Sequence, residues 1–433
     1  MRRVLDRLPE GTVAVGGGLV VNGLTAYTFI TLASRDLGAE AYSPVGLLWA
    51  LSFLLGPGFF QPLEQETARV IASHPADPPR LVVGPAAILG GSLALGLVLV
   101  ALVAAPWMVD GLFAGHGVLL VGLLLVLVGL GAGHLARGML AGLNRFGGYA
   151  RYFIGDGVGR LALVGVLGLV LTDEVAIYGL AVGGAPFLGV AAALAGRRSD
   201  GASRPDPATE AGPVPVADGT VDRRGGLAAL APAMGALLVA SVSTAVVLNV
   251  SPLAVELLAG PSEGHEAGRF LNALLVARVP LFFFQAVQAS LLPRLSALAA
   301  DRRFDEFRHV LGRLLALVGF LGLAAVVACG LVGHRVVELA FGAEFAVDRR
   351  DMVLLASSSA VLMVVLCLAQ ALIALRWQGR MALAWLAGLL AFPMVLAVGS
   401  DLFLRVEVAL LATVSTSMVA MSVLLGRRFR LLQ

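Results

Sequence analysis

Along most of the chain the apolar positions form unbroken runs rather than an alternating or one-faced pattern. Runs of about 20 residues, the length that carries a helix across the hydrocarbon core of a bilayer, occupy 11–33, 42–62, 81–109, 113–134, 152–171 and 176–196. Six more follow at 226–248, 270–292, 310–333, 352–375, 381–399 and 404–425. The pattern predicts an all-α integral membrane protein of about 12 transmembrane helices. The run behind Met1-Arg2-Arg3 resembles a signal peptide in position. It is long, however, and ends at Ser34-Arg35-Asp36 with no cleavage context, which predicts a first span instead.

One segment breaks the pattern. Residues 197–225 are rich in Pro, Gly, Ala and charge without apolar periodicity, and read as a flexible cytoplasmic linker. The chain divides into an N-terminal six-helix lobe over 1–196, this linker, and a C-terminal six-helix lobe over 226–433. An even number of spans per half makes both halves enter from the same side, a parallel pseudo-repeat. Phe59-Phe60-Gln61-Pro62-Leu63 in the second span and Phe283-Phe284-Gln285 with Leu291-Leu292-Pro293-Arg294 in the eighth agree with such a repeat.

Composition sharpens the assignment. Of 433 residues, 58% are hydrophobic and 14% charged, against about 25% charged in soluble domains, and the mean hydropathy is +0.90. Lipid must solvate much of this surface. All 31 basic residues are Arg. With both termini on one side, that side holds 23 of them and the other six, while Arg160 and Arg278 fall within spans. Excess basic charge marks the cytoplasmic face, so both termini are expected there. The spread over seven short segments at one face also removes the nucleic-acid reading that a pI near 9.2 invites.

Several short motifs carry a family likeness. Arg35-Asp36-Leu37-Gly38-Ala39-Glu40-Ala41-Tyr42 is similar to the Arg-x-Leu-Gly-x-x-x-Tyr external turn of polysaccharide exporters, the O-antigen and teichoic-acid flippases of the multidrug/oligosaccharidyl-lipid/polysaccharide (MOP) superfamily. Leu292-Pro293-Arg294-Leu295-Ser296 resembles the end of their eighth helix, and Phe341-Gly342-Ala343-Glu344-Phe345 their external turn before the tenth. Asn144-Arg145-Phe146-Gly147 also fits. The resemblance implies two lobes around a central cavity that opens alternately to each side, carrying an isoprenoid-diphosphate-linked glycan outward across a bacterial plasma membrane. It implies membrane lipid and the glycan as partners; without a nucleotide site, an H+ or Na+ gradient or downstream consumption of product would have to drive transport, and glycan-synthesis enzymes are candidate partners at 301–313. Relatives often have fourteen spans; this chain shows twelve.

No catalytic or metal-binding constellation appears, and no P-loop, so neither a cofactor nor ATP hydrolysis is expected. Arg278 stands about a third of the way into the eighth span. At this depth an Arg costs roughly 2.5–3.5 kcal/mol on insertion scales and marks a cavity or a partner. Its planar fork suits a diphosphate; the alternatives are snorkelling or a structural carboxylate. Asn22, Gln61, Gln285, Gln288 and Gln370 are amides near membrane depth, facing either a glycan in a wet cavity or a neighbouring helix. Glu64 and Glu66 are the ion-coupling candidates, with a local Glu66–Arg69 pair as the alternative. Asp156 and Arg160, at i,i+4 spacing, read as a structural pair. Pro57 and Pro62, and Pro280 and Pro293, are candidate hinges at comparable depths in the two halves. The segment 301–313 reads as a helix along the inner leaflet. Competing readings are a drug or cation antiporter of the same superfamily, which calls for a carboxylate as the main cavity charge, and a membrane scaffold or glycosyltransferase of glycan synthesis.

Overall fold

A computed structural model describes residues 12–73, 78–195, 226–260, 263–281, 284, 295–375 and 377–431. The expected linker, Gln285, Gln288 and Pro293 lie outside the described residues.

The described residues are nearly all helical. The first helix, α1 (Thr12–Leu55), is two arms that meet at Gly38, where φ is 70° and ψ 172°. Glycine accepts this left-handed backbone without steric cost. Phe29 stacks on Trp49 with ring centroids 5.5 Å apart, so the arms fold back side by side. The external loop expected over 35–42 is thus reduced to one non-helical residue. The second span runs on through a π-helical stretch at Gly56–Phe60 into α2 (Gln61–Ser73), past the expected end at 62. The apolar run ends there, but the backbone hydrogen bonds continue into the charged segment.

The first half continues with α3 (Arg80–Val103), α4 (Gly117–Gly142), α5 (Phe146–Gly168) and α6 (Glu174–Ala195). The second half holds α7 (Gly226–Leu258), α8 (Glu266–Ala277), α9 (Phe304–Ala328), α10 (His334–Phe341), α11 (Arg349–Ala374), α12 (Gln378–Leu396) and α13 (Leu402–Leu431). Among the described residues nine stretches are long and apolar enough to cross a membrane, and the first, Ala14–Ala72, contains both arms of α1. The helix α5 falls short because Arg151, Asp156 and Arg160 lie within it, and the eighth expected span leaves the described residues beyond 284. These two and the doubled first stretch account for the expected twelve.

The helices expose large apolar side chains on their outer surface and bury others between them. Val100, Leu323, Leu390 and Met394 are 64–73% exposed, while Phe60, Phe270 and Trp385 are at most 1% exposed. Helices α4 and α6 approach backbone to backbone: a Cβ at Gly122 would lie 2.7 Å from the Gly179 carbonyl oxygen, and one at Gly183 2.8 Å from that of Gly122. Small residues permit such contact in lipid, where packing replaces the hydrophobic effect. One core cluster spans both halves, from Phe29, Trp49 and Leu123 to Phe270, Phe345 and Val406; a second lies within the C-terminal half around Trp385 and Leu372.

The segment 301–313 is not a separate surface helix. From Phe304 it forms the first turns of α9, docked on α13 by Phe307 against Phe429 (5.7 Å) and the Arg308 guanidinium over the Phe429 ring (4.6 Å).

Candidate functional site

Arg278 caps the C-terminus of α8 where the helix breaks. Pro280, two residues on, supplies no N–H and crowds the carbonyl of Val276, which ends the regular ladder. Laying Phe59-Phe60-Gln61 over Phe283-Phe284-Gln285 sets Pro57, in the π-helical stretch, one residue from Pro280. The π-helical stretch at Gly56–Phe60 and the break after Ala277 thus fall at neighbouring positions of this sequence overlay. Arg278 is half-buried and lies beside Tyr27 of α1; no carboxylate among the described residues neutralises it. The Tyr27 hydroxyl donates to the Leu275 carbonyl at 3.0 Å. The guanidinium thus stands at the seam between the halves, against the first helix of the other half.

The first half holds a buried polar network. Glu64 on α2 lies 2.7 Å from Arg137 Nη2 and 2.9 Å from His134 Nδ1, both on α4, and accepts a 2.7 Å hydrogen bond from the Tyr149 hydroxyl. The Arg137 guanidinium also covers the rings of Tyr152 and Phe153 at 4.9 and 5.1 Å. Glu66 pairs with Arg69 at 2.5 Å. Deeper in, Asp156 pairs with Arg160 at 2.6 Å and accepts from Asn22 Nδ2 at 3.1 Å. Asn22 is thus committed to a helix contact, which the amide's position alone left open. Arg137 counted as a loop cation in the sequence pattern, yet α4 extends past the apolar run and buries it to 9% exposure. Its partners come from two other helices, so no local spacing announces them.

The remaining candidates separate. Gln61 is exposed, and Gln370 on α11 is half-buried with Oε1 lacking a hydrogen-bond partner. Pro57 is half-buried and Pro62 buried, at either end of the π-helical stretch and the start of α2. A groove of about 400 Å3 between α3 and α4 is lined by Ala87, Gly90, Gly91, Ala94 and Gly131 among others. It offers hydrocarbon contact but no charge, and is remote from Arg278 in character and in the helices that form it.

The two motifs expected at the external face meet across the halves. Arg35 donates to the carbonyls of Ala340 (2.8 Å) and Leu339, and the Ala39 N–H donates to Glu344 Oε2 at 3.1 Å. Tyr42 packs edge-on to Phe345 at 5.4 Å and donates to Asn272 Oδ1 at 2.7 Å. The Gly268 N–H donates to the Ser43 hydroxyl oxygen at 3.0 Å. At the same end, before α13, Asp401 accepts from the Leu404 N–H at 2.9 Å, and that bond and Arg350 hold its carboxyl below the usual carboxylate range.

Sequence reading missed one further residue. Glu407 on α13 is fully buried, and neither carboxylate oxygen has a hydrogen-bond partner. It lies inside the last apolar run, where a single acid three positions past the run's start gives no signal of its own.

No protein-family model matches the sequence. The chain is 26% identical over 412 residues to an uncharacterized protein of Mycobacterium tuberculosis, covering 93% of this chain and 89% of that one. A second uncharacterized protein of that organism is 24% identical over 423 residues, covering 93% and 90%. Among solved structures it superposes on the inward-facing conformation of a multidrug resistance MATE family transporter of the MOP superfamily, with TM-score 0.70 and 14% identity over 98% of this chain and 99% of that chain. The outward-facing conformation of a MATE family transporter gives 0.59 at 16% identity, covering 98% and 96%. A MOP superfamily transporter of Pyrococcus furiosus, described as having a binding pocket of reverse polarity, gives 0.61 at 15%, covering 97% and 95%. The chain has the two-lobe helical fold of MATE transporters of the MOP superfamily, a multi-pass membrane architecture.

Proposed function

We propose that this protein moves an amphiphile with an anionic head group, a lipid-linked glycan joined through a diphosphate, across a bacterial plasma membrane by alternating access. The lobes would be 1–196 and 226–433, joined by the cytoplasmic linker 197–225, with both termini cytoplasmic. One observation carries the reading: Arg278, a half-buried guanidinium with no carboxylate partner among the described residues, at the seam where α8 breaks against α1. A fork of five donors recognises phosphate oxygens bidentately, and an intramembrane Arg needs such a counter-charge. The hydrogen bonds that join residues 35–43 to 268–272 and 339–344 support a state sealed at the external end. The better superposition on the inward-facing neighbour agrees with it.

Of the carboxylates named for H+ or Na+ coupling, Glu64 is the better placed. Arg137, His134 and Tyr149 hold it from two other helices, so neutralising it would release α2 from α4 and α5. Glu66 is held only by Arg69 one turn away.

A drug or cation antiporter is the second reading, favoured by the multidrug transporters among the structural neighbours. It calls for a buried carboxylate, rather than Arg278, as the main cavity charge. The test is translocation of a fluorescent isoprenoid-diphosphate-linked sugar in proteoliposomes, with wild type beside Arg278→Ala. Flipping that the substitution abolishes supports the proposal. Efflux of cationic drugs with no flipping of the lipid contradicts it.

A further inference from the structure

Four acidic residues are buried among the described residues: Glu66, Asp156, Asp351 and, at 0% exposure, Glu407. Three have an Arg, namely Arg69, Arg160 and Arg350. Glu407 has none, and both its oxygens lack a donor. An ionised carboxylate buried without partner costs more than a fold can bear, and in practice such a group neutralises. A bound proton removes the charge without needing space. Among the described residues no cluster of three or more acidic, His or Cys side chains is present to hold a metal ion.

The charges near Glu407 belong to the start of α11 and the residue before α13. The charges that act on it are Asp351, Arg350 and Asp401. Asp351 stands in the first turn of α11, 4% exposed, and pairs with Arg350 at 3.0 Å. Arg350 also pairs with Asp401 at 3.3 Å, and the side chains of Arg350 and Asp401 are 47% exposed. The Arg350–Asp401 pair thus links the start of α11 to the residue just before α13. The helix α13 that carries Glu407 packs on α7, α11 and α12, and α11 packs in turn on α8, whose end is Arg278.

We propose that Glu407 is a proton-binding residue of the C-terminal half. Its role as a coupling site rests on the transport reading above; its protonation does not. In the packed state the side chain is a carboxylic acid. When α13 separates from α11, water reaches the oxygens, the proton leaves to solvent, and the carboxylate left behind opposes repacking until it is reloaded. No electron transfer or second reactant is involved. The proton thus acts on the helix pair that supports Arg278, from the half opposite to Glu64.

The test is infrared difference spectroscopy of the full chain in lipid vesicles during a pH titration, comparing wild type with Glu407→Gln. The expected result is a protonated-carboxyl C=O band at neutral pH, shifted in D2O and absent from Glu407→Gln, whose thermal unfolding stays near wild type. If the Gln variant fails to fold, Glu407→Asp serves in its place and should move the band rather than remove it. A band of equal intensity and position in wild type and variants overturns the proposal. So does loss of the wild-type band on adding Na+ at fixed pH, which would assign the site to a cation. A protein that shows the Glu407 band but flips no lipid-linked sugar keeps this inference and ends the transport reading.

Discussion

Glu344 Oε2 accepts a 3.1 Å hydrogen bond from the backbone N–H of Ala39, joining the turn after α10 to the bend of α1 across the two halves. A Cβ at Gly38 would come within 3.4 Å of the same carboxylate, so the bend and the acid fit each other in shape as well as charge. Arg35 and Tyr42 flank this contact with bonds of 2.8 and 2.7 Å to the other half. A charge-assisted hydrogen bond contributes roughly 1.5–3 kcal/mol, about a tenfold or greater shift in a two-state equilibrium.

Glu344→Ala should therefore open the external end. The measurement is the labelling rate of a thiol placed at the buried Ala267 (1% exposed), in a background with Cys329 and Cys367 replaced by Ala. The expected outcome is labelling about tenfold faster than with Glu344 intact. An unchanged rate would remove Glu344 from the seal.

The network around Glu64 makes a different prediction. Arg137→Ala leaves Glu64 buried with only neutral donors, and breaking a buried pair by removing one member costs about 3–5 kcal/mol. Thermal unfolding in detergent should show a large drop in Tm for Arg137→Ala. Adding Glu64→Gln should recover part of it, because the stranded charge is then gone. A double variant no more stable than Arg137→Ala would show that the rings of Tyr152 and Phe153, not Glu64, are what Arg137 supports.

At the crossing of α4 and α6, Gly122→Val places new atoms against a carbonyl that a Cβ alone would approach to 2.7 Å. Overpacking of this kind costs about 1–3 kcal/mol, so a lower Tm and lower yield of inserted protein are expected. Gly165→Ala on α5, where a Cβ meets nothing within 4 Å, should be neutral or slightly stabilising, since Ala favours helix over Gly by about 1 kcal/mol. Equal losses in both would point to glycine content rather than this contact.

The spans were legible because lipid demands long apolar runs, and apart from the eighth, which leaves the described residues, the expected runs coincide with helices except at their ends. The ends were not legible, because α2 and α4 continue through charged turns where the apolar signal has stopped. That is why Arg137 reads as a loop residue in sequence and as a buried partner of Glu64 in the structure. Arg278 stood out because a lone cation in an apolar run is itself the anomaly, and Pro280 beside it marks the break. Tyr42 and Asn272 did not stand out: their bond joins residues 230 apart, and each looks ordinary in its own helix. Asp156 and Arg160 were legible as a pair from their i,i+4 spacing, whereas the addition of Asn22 needed the packing of α1 on α5.

The central claim is that Arg278 holds the anionic head of the transported molecule. Its most direct measurement is equilibrium binding of an isoprenoid diphosphate and of the matching uncharged isoprenol to wild type, Arg278→Ala and Arg278→Lys. The account predicts that Arg278→Ala weakens diphosphate binding by at least about tenfold, the loss of one charge-assisted contact. Arg278→Lys should fall between the two, and isoprenol binding should be unchanged throughout. Equal diphosphate binding by wild type and Arg278→Ala would contradict it.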